Sequence, residues 1–364
     1  SILATSTSKT AQSIQPMINP DPRPRIGLML GDPTGIGPEV ALKLLDRPET
    51  HQQAKILVVG DRRIFNQAAQ ELGISLHPKL VSMEEPFEWP QPGSHEVAMI
   101  DLANIDPSNV TRGKLDPQIG WRVGETLKAM TDMALNHQID AVCFAPLNKA
   151  AINRGGWQYL DEHAMFADWN AHQGYYGEVN IIPMFCTFRV TSHVSLRKAV
   201  EMVTPERIEG AVTLAHQVMQ DLGHPTARIG VAALNPHGGE SGLFGDEEIT
   251  IIRPTLEKMK DSGLFTEGPY PSDTVFLKAK AGQLDAVVIM YHDQGQIATK
   301  LLGFSEGVTL TGALHTIYTT PSHGTAYDIV GQKKANPGAM VKAFEVAVKL
   351  ASRPGNAAPT AQAH

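Results

Sequence analysis

Three histidines in this 364-residue chain stand where side chains can meet a metal or a substrate. His193, His237 and His292 each follow a short apolar run: residues 188–190, 228–234 and 285–291. They lie 44 and 55 residues apart, which excludes a zinc finger, whose ligands come in close pairs. The spacing fits a site gathered from several strand ends. Three neutral imidazoles leave open positions on Zn²⁺, Co²⁺ or Fe²⁺, which a substrate with vicinal oxygens can fill. Such an ion acidifies an alcohol and supports a developing enolate, with Lys300 and Asp273 placed to handle protons. Strand-end histidines also serve as caps and packing groups, and spacing alone leaves both readings open.

The elements that must carry these residues are legible as apolar runs. Asp285-Ala-Val-Val-Ile-Met-Tyr-His-Asp-Gln-Gly295 reads as a buried parallel strand, with Gly295 turning the backbone after His292. Ligands of open α/β sheets bind beyond the carboxyl ends of such strands. Further strands are expected at residues 25–30, 55–59, 140–145, 228–234 and near Val308, with a pair at 181–185 and 188–190. Residues 73–115 read as a loop-rich excursion. The Gly-rich turn from Gly31 to Glu39 opens a helix, and its spacing matches neither standard phosphate loop. Asp116-Pro117 and Thr204-Pro205 are capped helix starts, the first followed by Ile119, Val123, Leu127, Met130 and Met133 at helical spacing. Gly238 and Gly239 permit unusual backbone angles beside His237, and Asp273 falls in a Gly-Pro turn. Lys149 leaves a strand either toward the crevice or into solvent.

Composition narrows the class. Charged residues make up 19% and hydrophobic ones 42%, with a net charge of −7, so a packed enzyme is expected and a nucleic-acid partner is not. Cys143 and Cys186 sit in apolar runs and read as buried thiols of a reducing compartment. No apolar run is long enough to span a membrane, and a cytoplasmic location is the simplest expectation. Residues 1–24 read as a disordered leader and 353–364 as a frayed tail. The expected fold is a two-lobed α/β unit with a central cleft. Its first lobe is 25–150 plus 310–352 and its second is 151–309.

Six motifs occur together and in order: Gly31-Asp-Pro-Thr-Gly-Ile-Gly-Pro-Glu39, Thr191-Ser-His193, Leu234-Asn-Pro-His-Gly-Gly-Glu240, Gly268-Pro-Tyr-Pro-Ser-Asp-Thr274, Tyr291-His-Asp-Gln-Gly295 and His323-Gly-Thr-Ala-Tyr-Asp328. On these the chain resembles the 4-hydroxythreonine-4-phosphate dehydrogenase family over about residues 25–350. The resemblance implies an isocitrate/isopropylmalate dehydrogenase-like fold and a homodimer sharing its active site. It also implies NAD or NADP, a divalent metal for which zinc is the first expectation, and oxidation of a hydroxyl β to a carboxylate followed by loss of CO₂. By the same resemblance His193, His237 and His292 are metal ligands, in a set completed across the dimer. His163 and Lys300 contact substrate, Asp273 transfers protons or stands beside the metal, and His323, Gly324, Thr325 and Asp328 form the adenosine side of the cofactor site.

The chain departs from that pattern at the substrate side. Ala164-Met165 replaces a Thr-Glu pair after His163, Thr309 replaces a substrate-contacting Asn, and Tyr318 replaces a substrate-contacting Arg. Loss of an arginine removes a charged planar fork suited to phosphate. These departures resemble a rebuilt site, and the expected substrate is a carboxylated cis-dihydrodiol such as that of terephthalate, in aromatic catabolism. Trp157, Tyr159 and Tyr318 would then face a flat ring. The alternative is 4-phosphohydroxythreonine, or erythronate or threonate 4-phosphate.

Overall fold

The apolar runs become strands of one sheet in the computed structural model, which describes residues 21–354. Most of the expected leader and tail lie outside those residues. In chain order the strands are β1 (Arg25–Met29), β2 (Lys55–Gly60), β3 (His77–Leu80), β4 (Glu96–Asp101), β5 (Ala141–Phe144) and β6 (Gly177–Ile181). They continue with β7 (Cys186–Arg189), β8 (Ile229–Ala232), β9 (Glu267–Tyr270), β10 (Ala286–Ile289), β11 (Val308–Gly312) and β12 (Tyr318–Pro321). Their spatial order is β3-β4-β2-β1-β5-β12-β11-β6-β7-β10-β8-β9. Five early strands fill one half and five later ones the other, joined at β12 and β11. β3-β4-β2-β1-β5 and β7-β10-β8-β9 are parallel, and only the pairs β12–β11, β11–β6 and β6–β7 run antiparallel. The fold is mixed α/β, as the alternation of strand and helix patterns implies.

Parallel pairing gives the site its edge. β7, β10, β8 and β9 are consecutive parallel neighbours, so all four carboxyl ends open on one side. The segments carrying His193, His292, His237 and Asp273 leave from that side, where ligands of α/β sheets bind.

The helices start where their caps say. Asp116 accepts from the amides of Gln118 and Ile119 at the head of helix Pro117–Leu135, and Pro117 gives up no hydrogen bond there. Ile119, Val123, Leu127 and Met130 are buried on its inner face, with Met133 partly so. Thr204 caps helix Pro205–Asp221, whose Ile208, Val212, Ala215 and Met219 are buried. Cys143 and Cys186 are buried free thiols, and burial pushes both up to about 12, so neither is a thiolate at neutral pH.

Several local expectations change. Residues 73–115 contain β3 and β4; β3 is an edge strand with Pro78 and little buried surface, so it carries no apolar signature. Residues 182–185 are the turn of a hairpin, closed by Ile182 N donating to Phe185 O at 3.1 Å, rather than strand. Gly268-Pro-Tyr belongs to β9, and Asp273 lies in the first turn of helix Ser272–Lys280. Gly295 does not turn the chain. It sits inside helix His292–Gly303, where a Cβ would come within 2.6 Å of Ile289 Cδ1, so its role is close helix-to-strand packing.

A second close approach yields a stability prediction. Gly120 faces helix Lys149–Gly155, and a Cβ there would stand 2.0 Å from the Ala151 carbonyl oxygen. Backbone cannot swing aside as a side chain does. Gly120→Ala is expected to destabilise by about 1–3 kcal/mol despite its better helix propensity. Urea denaturation at or above wild-type stability would show that the two helices separate freely.

Candidate active site

A cavity of about 530 Å³ opens between the two halves of the sheet. Lys149 and Arg154 come to it from helix Lys149–Gly155 after β5, and His193 from the segment after β7. Asp161 and Glu162, at the head of helix Glu162–Trp169, complete its charged lining, and Trp157, Tyr159 and Leu160 form an apolar wall. Lys149 lines the cavity and is also exposed, its side chain 60% accessible, so both readings of it hold in part. Its ammonium lies 3.4 Å from Glu162 Oε1, whose charge raises the lysine pKa further.

His193 and His292 are brought together, their ring centroids 5.4 Å apart. Each ring is oriented by a carboxylate at Nδ1. His193 pairs with Asp161 Oδ2, and His292 lies 2.7 Å from Asp293 Oδ1. A proton shared at Nδ1 leaves Nε2 as the donor atom, the arrangement found around metal-binding histidines. Burial pushes the Asp161 carboxyl up, but the His193 ring and the Ala164 amide outweigh it, and its pKa is lowered.

His237 is presented differently. It is exposed, and it opens a run of positive φ from His237 to Ser241 with values of 55°, 65°, 84°, 45° and 55°. Only Gly238 and Gly239 take such angles without strain. Buried Glu248 holds the run in place, accepting from the amide and the side chain of Asn235 at 2.8 and 3.1 Å. A non-glycine residue kept in this conformation by its surroundings is common where function needs a particular side-chain direction. Among the described residues, no group of three His, Cys, Asp or Glu side chains gathers closely enough within the chain to hold a metal. Asp273 is exposed in its helix's first turn. Lys300 is exposed eight residues beyond His292, about 12 Å along the helix axis.

The other residues expected to contact substrate, His163, Thr309 and Tyr318, are buried. His163 is 3% exposed. Its Nδ1 is 2.7 Å from Thr311 Oγ1, and its Nε2 is 3.3 Å from Glu178 Oε1 without hydrogen-bond alignment. Thr309 is buried against Ser322 Oγ at 3.0 Å. Tyr318 is 1% exposed; its ring stacks on Phe166 with centroids 3.9 Å apart, and its hydroxyl joins Thr131 and Asn170. A ring so enclosed packs the core and does not face a flat substrate. Trp157 likewise stacks on Trp121, though it also lines the cavity.

The loop from His323 to Asp328 packs on the Gly-rich turn. Ile36 N donates to Thr325 O at 3.0 Å, and Tyr327 OH joins Thr34 and Asn148, the residue before Lys149. His323 Nε2 is buried without a partner, Gly324 faces open space, and Asp328 is exposed. With Nδ1 3.1 Å from the Gly324 carbonyl oxygen, Nε2 is left as a buried acceptor, and an unpaired acceptor beside an open backbone position and a carboxylate suits ribose hydroxyls. Sequence reasoning missed Asp161, Arg154 and the buried pair Glu178 and Arg189. None of these falls in an ordered motif, and an acidic residue 32 positions before a histidine carries no spacing signal.

Known proteins match this arrangement over most of the chain. The family model described as pyridoxal phosphate biosynthetic protein PdxA matches residues 52–347. A Rhizobium meliloti protein with the provisional name 4-hydroxythreonine-4-phosphate dehydrogenase 2 is 39% identical over 331 residues, covering 91% of this chain and 94% of its own. The crystal structure of 4-hydroxythreonine-4-phosphate dehydrogenase from Klebsiella pneumoniae is 33% identical with a TM-score of 0.77, covering 91% and 99%. That of a terephthalate 1,2-cis-dihydrodiol dehydrogenase from Burkholderia xenovorans is 26% identical with a TM-score of 0.65, covering 90% and 98%. The dihydrodiol branch is therefore the more distant likeness, and the phosphorylated hydroxy acids are the better supported alternative. By sequence and by fold, this dehydrogenase-like chain belongs to the PdxA family.

Proposed function

We propose that the chain is an NAD(P)-dependent, divalent-metal-assisted dehydrogenase of a phosphorylated hydroxy acid, of the class of 4-phosphohydroxythreonine and threonate 4-phosphate. The observation that carries this reading is the cavity in which Lys149 and Arg154 stand beside His193. Arg154 is exposed there and has no ion-pair partner among the described residues, so it offers a charged fork to a dianion. This fork stands in for the arginine replaced by Tyr318.

His193, His237 and His292 would hold the metal, and their imidazoles suit zinc. When bound, the ion would acidify the substrate hydroxyl. Asp161 and Asp293 keep the His193 and His292 rings in one tautomer. Lys149 and Arg154 fix the phosphate and carboxylate ends, so that the carbon bearing the hydroxyl faces the cofactor. His323, Gly324, Thr325 and Asp328 would seat the adenosine half of that cofactor. The cofactor would supply the hydride acceptor for this carbon, and the hydroxyl proton would pass to a base, for which Asp273 is proposed at the same strand edge. The β-keto acid then breaks its bond to the carboxylate and releases CO₂. Lys300 would meet the resulting enolate, or a substrate group at a shared site.

A homodimer fits the same geometry. Leu196, Leu243, Phe244, Ile297 and Leu301 are exposed, and each follows one of the three histidines closely in sequence. Exposed apolar side chains of this size, on segments that carry the histidines, support an interface between two copies of the chain. Among the described residues no helix is long and apolar enough to cross a membrane. NAD(P) use and two unpaired buried thiols support a cytoplasmic location.

The deciding experiment is NADH formation by zinc-loaded protein with 4-phosphohydroxythreonine and terephthalate cis-dihydrodiol offered in parallel. The phosphate ester is expected to be preferred by at least about a hundredfold in kcat/KM, the value of one well-formed charged contact. Preference for the dihydrodiol would overturn the reading. A second expectation concerns the carboxylate behind His193. Asp161→Asn should weaken zinc binding about 10–100-fold, measured by competition with a chromophoric chelator. An unchanged affinity would mean that His193 is not a ligand or needs no orienting.

A further inference from the structure

One buried side chain reaches both histidine segments that meet at the site. Arg189 is the last residue of β7 and is 2% exposed. Its Nη1 donates to Ser192 Oγ at 2.9 Å, the residue before His193. Its Nη2 donates to Gln296 Oε1 at 2.8 Å, one helical turn after His292. Nη2 also reaches Asn180 Oδ1 at 2.7 Å, and Nη1 pairs with Glu178, both partners on β6. Arg189 does not line the cavity.

A buried guanidinium is disfavoured unless fully paired, and here Nε is buried without a hydrogen-bond partner, so packing alone would be served as well by an apolar side chain. What it adds is a rigid planar fork whose donors leave at fixed angles. Here the fork is anchored on β6 by Glu178 and Asn180. Its other donors hold Ser192 and Gln296, which lie on two separate elements. We propose that Arg189 is a positioning residue: through Ser192 and Gln296 it fixes the separation of the His193 and His292 rings. This rests on the metal reading above.

The test uses Co²⁺ as the probe, on the full-length protein, followed by its visible ligand-field absorption. The variants are Arg189→Lys and the double variant Ser192→Ala with Gln296→Leu. The double variant keeps the buried ion pair and so preserves the fold, while removing both acceptors. It is expected to bind Co²⁺ at least about tenfold more weakly and with a shifted absorption band, the scale of outer-shell effects on metal sites. Two buried guanidinium N–H groups lose their acceptors, so its metal-free melting temperature should fall by several degrees, and affinity and band are compared at a temperature where both proteins are folded. Arg189→Lys keeps the charge but loses the fork, and should show the same loss. A purely structural arginine would lower the metal-free melting temperature and leave affinity and band unchanged. If the wild type binds Co²⁺ and both variants match it, the positioning role is overturned. If the wild type binds no Co²⁺, the metal reading fails and takes this inference with it.

Discussion

His193→Ala is expected to lower kcat/KM by about a thousandfold, while the metal-free protein melts as the wild type does. A bound divalent ion contributes several kcal/mol to the stabilisation of a developing oxyanion, and about 4 kcal/mol corresponds to that factor. The ring is one third exposed and touches His292 and Asp161 rather than the core, so its removal opens no cavity. Removing it takes one of the two donors that the fold already brings together, and leaves the Asp161 carboxylate without its partner. Zinc content after dialysis should fall in parallel with activity. An active, zinc-replete His193→Ala protein would remove the histidine triad from the mechanism. His237→Ala should produce the same loss of metal with a smaller structural consequence still, because an alanine at that left-handed position is no more strained than the histidine. Equal losses at His193 and His237 would indicate that donors apart within one chain act in one site, which closure or a second subunit must complete.

The strand ends were legible in the sequence because buried parallel strands are short, continuous and apolar. Residues 285–291 announce β10 without help from any other part of the chain. The common edge of the three histidines also follows from strands in parallel. What could not be read is the pairing that depends on distant partners. β3 shows no apolar alternation, and β12 is identified only by its neighbours β5 and β11. The same limit applied at the site. Tyr318 occupies a position that the resemblance assigns to substrate, yet its direction is set by Phe166, Thr131 and Asn170, none of which is near it in sequence. A substitution at a substrate position thus reads equally as a new specificity or as a side chain turned inward. Arg154 and Lys149 line the cavity, and Tyr318 does not.

The other large effect is on stability. Glu178→Gln is expected to cost about 3–5 kcal/mol, the usual result of removing one member of a buried charge set. Glu178 stands between Arg189, which pairs with Oε2, and His163, 3.3 Å from Oε1. Arg189 and His163 are both almost wholly buried, so an amide at this position would strand two cationic groups away from water. Burial pushes the Glu178 carboxyl up, but His163, Arg189 and Lys149 outweigh it and hold the pKa far below its ordinary value of 4.5. Its contribution is therefore complete above about pH 4.5 and is lost as the pH falls below that value. For His163 burial pulls the pKa down, but Glu178, Glu162 and Asp161 raise it above 6.5. That contribution is complete below pH 6.5 and fades as the pH rises through the raised value. The wild type should thus be most stable between these limits, with an acid flank set by Glu178. Urea denaturation from about pH 3 to 8 should show the Glu178→Gln variant less stable throughout and flatter on its acid side, because the proton-linked contribution has gone. A loss below about 1 kcal/mol at pH 6 would mean that the buried cations find other partners, and that the charge set behind the histidines is dispensable for the fold.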